Sequence, residues 1–421
     1  MSFYLIENNN QLENFHLEGY RDVFVNVVPF SYKEHPTQND VSLVYVRPWN
    51  SLKGYVIIVS HADAFSCDIS RVFSKLDSIE NLYVVDKKDF LHYFIIHKAK
   101  DLTLTPHLPN VDYTNAHLHL YHRFPNKRDI NRIVPISKHY EYCENLFQSV
   151  KDNKNIPLNE FYNYTASTVF NIIERNGIKV NKELFEETFH PINLDYAFTH
   201  YNFKTTTTRP SNAFNGVNYA SLNKKTNDRE CFIPDNDKLI EIDISAFHPS
   251  ILLKHIEYEF PTPDIHAELA SLYGVDYKKG KEITFKQIYG GIFKEYKDLE
   301  FFKQVQTFTD KLWMLYQNEG YLECPISGHK FYKDKLTNMS PQKLLNYYLQ
   351  TLETAYHVSI VWEVLNLLRH HNTKIILYSY DAILLDFDNT ETELLNEIKQ
   401  IYNKNGFKIT QKEGLNYKKI K

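Results

Sequence analysis

Cysteine is scarce: Cys67, Cys143, Cys231 and Cys324 are the only four in 421 residues, and no two form a C-x-x-C pair. That excludes a zinc ribbon or a disulfide framework and fits a reducing compartment. Long apolar runs are missing too, since stretches such as Tyr55–Val59 are only strand-length. The opening MSFYLIENNNQLENF lacks the basic-then-apolar order of a secretory signal. A soluble protein of the cytoplasm, without a membrane partner, is expected. Nor is there an excess of one charge: the net value is −4. Attraction for a polyanion would have to come from a local basic cleft rather than from the whole chain.

What is present is a globular composition, 43% hydrophobic and 24% charged, with 15% aromatic residues. Such rings stack on bases or fill cores, and composition does not choose between the two. The length calls for two or three domains. DVFVNVVPF, VSLVYVRPW and GYVIIVSH read as three strands of a meander. Helices at Ile69–Leu76 and Asp89–His97 follow, with the strand Leu82–Val85 between them. The pattern implies a compact α/β domain over 1–150, closed by the polar SVKDNKNIPLN. In the remainder, 151–421, helices are expected at Phe161–Gly177, with Gly177 as C-cap, and at Ser245–His255, Lys278–Gly290, Phe293–Tyr316 and Pro341–Leu368. Leu239–Ile244 reads as a buried strand, and Lys374–Tyr378 with Ala382–Phe387 as a hairpin.

Two carboxylates stand at the ends of apolar strands. Asp243 closes one in EIDISAFHPSIL, and Asp381 tips the hairpin LYSYDAILLDF. Singly, Asp243 also suits a helix N-cap and Asp381 a turn. Together they can meet on one sheet and hold two divalent cations roughly 3.5–4 Å apart. Between them, Tyr277, Lys281, Phe285 and Tyr289 recur every fourth residue and share a helix face. A lysine amid such a stripe is poorly explained by core packing and suits a nucleotide, with the cation on phosphate and the rings on base and sugar.

These segments resemble motifs A, B and C of the family A DNA polymerases, the polymerase I family. Lys281, Phe285, Tyr289 and Gly290 match K-x-x-x-[FY]-x-x-x-Y-G. TTTTRPSN resembles T-x-T-G-R-L-S-S, which implies that Arg209 contacts the primer terminus. DIHAELASLYGV (Asp264–Val275) resembles the stretch before motif B, and IIERNGIKVN (Ile172–Asn181) the start of the thumb. LNYYLQ resembles F-N-x-x-x-Q, placing Asn346 and Gln350 near primer–template. There are departures. The motif B arginine is Tyr277, leaving Lys278 to assist with the triphosphate, and the glycine after the motif B aromatic is Lys286. The carboxylate after the motif C aspartate is Ala382, and the sugar-selecting glutamate is His248, in a string that is also similar to the S-L-Y-P-S-I of family B enzymes.

The resemblance implies a mixed α/β and α+β architecture. A ribonuclease H-like, exonuclease-type domain (1–150) would precede a right-hand polymerase (151–421) with a reduced thumb. It implies a DNA polymerase that adds dNTPs to primed template DNA. Asp243 and Asp381 would bind two Mg²⁺ (or Mn²⁺), and Lys281 would act on the pyrophosphate. Phe285, Tyr289, His248 and Lys278 would contact the nucleotide. The first strand offers Asn26 and Val28 where an exonuclease needs an Asp-x-Glu. Asp89 and Glu144 could match only later positions, so a remnant without proofreading is expected. His117, His119 and His122 read as surface or packing residues. A phage or mobile-element replication role with a processivity partner is the further expectation. The alternatives are a single-subunit RNA polymerase and a non-catalytic nucleic-acid-binding relic.

Overall fold

The structure, a computed structural model, describes residues 3–17, 19–105, 129–189, 192, 194–212, 217, 219, 222, 226–262 and 264–420. His117, His119 and His122 lie outside the described residues. The chain forms two compact units, Met1–Arg175 and Asn176–Lys421, so the division falls beyond the polar stretch around residue 150.

In the first unit, strands β1 (Tyr4–Ile6), β2 (Asp22–Pro29), β3 (Val41–Pro48), β4 (Tyr55–Ile58), β5 (Asn81–Val84) and β6 (Lys100–Asp101) form one sheet of order β1-β4-β3-β2-β5-β6. The meander β2-β3-β4 is antiparallel, while β5 and β6 run parallel to β2. This is the strand order of a ribonuclease H-like sheet. Both faces are covered, which is why the strands read as nearly unbroken apolar runs. Val23 and Val25 join one core cluster with Val72 and Leu76 of α1 (Ile69–Asp77). Phe24 and Val28 join the other with Tyr140, Cys143, Leu146, Phe147 and Val150 of α3 (Ile136–Val150). Helix α1 starts where expected because Asp68 caps it, accepting from Ser70 N at 2.7 Å. Helix α2 spans Lys87–Tyr93 and stops short of His97, as Phe94 turns extended. The expected helix from Phe161 opens instead with a π turn (Phe161–Ala166) before α4 (Ser167–Asn176), and Gly177 ends it at φ +64°.

The second unit is built on an antiparallel sheet of β7 (Lys238–Ile244), β8 (Lys374–Ser379), β9 (Ala382–Phe387) and β10 (Ile409–Gly414), in the order β8-β9-β7-β10. Its helices include α5 (Phe247–Leu253), α6 (Ile265–Tyr273), α7 (Tyr277–Gly290), α8 (Glu300–Glu319), α9 (Pro341–Leu367) and α10 (Leu394–Lys404). Helix α8 begins later than the expected Phe293, with a separate 3₁₀ turn at Lys294–Tyr296. The 27-residue α9 is the spine and packs against α5, α7, α8 and α10. Among the described residues between Asn181 and Arg209 the one helix is Lys182–Thr188.

Candidate active site

Strand β7 pairs with β9 so that Asp243 lies opposite Ala382, the residue after Asp381. The next amide, Ile244 N–H, donates to the Asp381 carbonyl at 2.9 Å. The two carboxylate-bearing positions therefore sit side by side at one end of the sheet. Asp243 is not the cap of the helix that follows; that position is Ala246, in a left-handed conformation with φ +48°. Asp381 occupies a two-residue tip with Tyr380, itself at φ +57°. A non-glycine residue held there costs about 1–3 kcal/mol and persists only where its surroundings fix it. Two groups do so. Arg209 stacks its guanidinium 3.9 Å from the centre of the Tyr380 ring. The fully buried His357 donates from Nδ1 to the Tyr380 carbonyl at 2.6 Å, while its Nε2 meets the Tyr402 hydroxyl at 3.0 Å. Burial pushes the His357 pKa down to about 4, so the ring is neutral and keeps this donor–acceptor arrangement.

The electrostatics of the tip fit a bound cation. Burial first, and then the negative charges of Asp243 and Glu353, push the Asp381 pKa up to about 6, despite the opposing charge of Arg209. Carboxylates crowded in this way are stabilised by a cation between them.

The face of α7 carries the expected stripe. Phe285 and Tyr289 stack with centroids 5.8 Å apart and planes 9° from parallel, and the exposed Lys281 places its ammonium 5.8 Å from the Phe285 ring. Tyr277 and Lys278 at the start of α7 are exposed. The Tyr289 hydroxyl meets Nδ1 of the buried His248 at 2.7 Å, joining the stripe to α5. On α9, Gln350 donates to Asn346 at 3.1 Å.

Sequence reasoning missed Glu353. This buried side chain lies 2.9 Å from Arg209 Nε and 3.3 Å from His248 Nε2. Burial pushes its pKa up, but the close approach of His248 and the charge of Arg209 outweigh it and hold the carboxyl below the usual range. A signal was present: Asn346, Gln350, Glu353 and His357 recur at intervals of four, three and four, a polar stripe along one face of the helix.

In the first unit, Glu144 and Asp89 are already engaged. Glu144 pairs with Arg47 at 3.2 Å and accepts from the Tyr45 hydroxyl, and Asp89 pairs with Lys88 at 2.6 Å. Asn26 contacts the Cys143 thiol at 3.4 Å. His35, His92 and Glu174 cluster there as well, but the Lys88 ammonium lies 2.8 Å from Glu174. Among the described residues, no helix is long and apolar enough to cross a membrane.

No family model matches the chain, and no curated protein matches it. A solved structure described as the POL domain of Pol1 from M. smegmatis in complex with DNA primer-template and dNTP is similar over 99% of this chain and 99% of that one, with 12% identity and a TM-score of 0.70. At that identity the likeness is one of fold, and the chain has the fold of a polymerase I-like polymerase domain.

Proposed function

We propose that the chain is a template-directed DNA polymerase that extends a primer 3′ end with dNTPs. The observation that carries this is the meeting of Asp243 and Asp381 at one sheet end, within a second unit that also bears the Lys281–Phe285–Tyr289 face. The likeness in fold to a polymerase whose structure holds DNA primer-template and dNTP supports the same reading. Asp243 and Asp381 would hold two divalent cations, Mg²⁺ with Mn²⁺ as a substitute. Bound there, such ions would activate the attacking 3′ oxygen and stabilise charge on the leaving phosphate. Lys281 would bind the triphosphate and give a proton to the pyrophosphate, with Lys278 adding positive charge. Phe285 and Tyr289 would face base and sugar, and His248 would crowd the position of a 2′-hydroxyl. Arg209, Asn346 and Gln350 would contact primer and template, Arg209 being held on Tyr380 beside the catalytic tip.

The first domain, 1–150, is on this reading a degenerate 3′–5′ exonuclease-like domain without proofreading, and 151–421 the polymerase proper. Its engaged carboxylates support that assignment. Replication of phage or mobile-element DNA, in the cytoplasm of a bacterial host and with a processivity partner, completes the proposal. The test is extension of a labelled primer on a DNA template in Mg²⁺, with dNTPs and rNTPs offered separately. Elongation with dNTPs is expected. Elongation with rNTPs alone would assign the chain to RNA synthesis, and none with either would make it a binding relic.

A further inference from the structure

Glu353 belongs to none of the motifs that the sequence displays, yet it touches both sides of the candidate site. It is 3% exposed and sits on α9. One oxygen faces Arg209, whose guanidinium lies on the Tyr380 ring next to Asp381. The other faces Nε2 of His248, whose Nδ1 meets the Tyr289 hydroxyl, and Tyr289 stacks on Phe285. An ionised carboxylate can only accept, so the ring nitrogen facing it carries the proton. With the proton on that nitrogen, Nδ1 of His248 accepts from Tyr289, so the nearby carboxylate favours one tautomer of the ring. Arg209 already balances the single negative charge, so the contact with His248 is not needed for neutrality. What it supplies is orientation.

Resting on the polymerase reading above, we propose that Glu353 is a positioning residue for sugar selection. It fixes the His248–Tyr289–Phe285 assembly against the incoming nucleotide while anchoring Arg209. A glutamine in its place can donate or accept, so it leaves the tautomer of His248 open and strips Arg209 of its charge partner. The selection between deoxyribose and ribose then loosens even though His248 is unchanged.

The experiment measures kcat/KM for one dNTP and for the matching rNTP with wild type, Glu353→Gln, His248→Ala and the double variant. The ratio of the two values is the readout. A fall in folded enzyme scales both substrates alike and leaves it unmoved. Glu353→Gln is expected to lower the ratio about tenfold, the scale of one lost contact between a polar group and a buried charge. The double variant should discriminate no worse than His248→Ala alone, because Glu353 acts through His248. An unchanged ratio in Glu353→Gln, or losses that multiply in the double variant, would overturn the proposal. Should Glu353→Gln fail to fold, Glu353→Asp keeps the charge but shortens the reach. It is expected to give an intermediate ratio, and a wild-type ratio there would overturn the proposal equally. Wild type that extends no primer at all would overturn the polymerase reading itself.

Discussion

His139 lies on the inner face of α3, its Nε2–H donating to the Asn131 carbonyl at 3.0 Å. Burial pushes its pKa down to about 4, with the neighbouring His61 adding to the effect against that hydrogen bond. The native imidazole therefore refuses a proton that the unfolded chain takes up near pH 6.5. Its contribution is complete above pH 6.5 and is lost progressively as the pH falls from there toward 4, reaching about 2 kcal/mol at pH 5. Urea unfolding at pH 7 and pH 5 should show this loss in wild type and a smaller one in His139→Gln; equal losses would remove His139 as the cause. Other single residues differ in how visible they were beforehand. Asp243 and Asp381 stood out because apolar strand residues flank each carboxylate. Glu353 did not, since its meaning depends on Arg209 and His248, which only the fold brings to it.

At the scale of elements, the α6–α7 pair shows how packing places the proposed nucleotide face. A side-chain carbon added at Gly280 would lie 2.5 Å from the Ala270 Cβ and 2.7 Å from its Cα, so the two helices meet backbone to backbone there. Gly280→Ala gains about 1 kcal/mol of helix propensity but forces α7 away from α6, at a cost of about 1–3 kcal/mol. The net expectation is a lower Tm, together with a raised KM for dNTP because Lys281, Phe285 and Tyr289 ride on α7. A higher Tm at unchanged KM would show that the contact has slack. Elements with a strong period were readable: β2 to β5 of the first sheet, β7 to β9 of the second, α7 and α9. Strand β10 was not. ITQKEG is half exposed and held by backbone pairing to β7 along one edge, so it carries no apolar alternation to read. Helix α3 was missed for another reason, since its buried face mixes His, Tyr and Cys with Leu and Phe.

For the whole molecule, the fold shared with a polymerase domain includes a first domain in which Glu144 and Asp89 are already paired. Proofreading needs carboxylates free to hold metal, and neither Asn26 nor Val28 supplies one. Incubation of a labelled mismatched 3′ end in Mg²⁺ or Mn²⁺ should leave it intact; shortening that disappears in Asp89→Ala would contradict the assignment. On the proposed reading the short segment between Asn181 and Arg209 would leave few groups to grip the duplex, so under a DNA trap the enzyme should release after few additions and respond weakly to salt. The central claim is that Asp243 and Asp381 together form the catalytic centre. It is tested most directly by primer extension in Mg²⁺ with Asp381→Asn beside wild type, with primer–template binding measured in parallel. The account expects extension to fall by at least about a hundredfold with binding retained, since a neutral amide cannot hold the cations. Extension by Asp381→Asn at near the wild-type rate would contradict it.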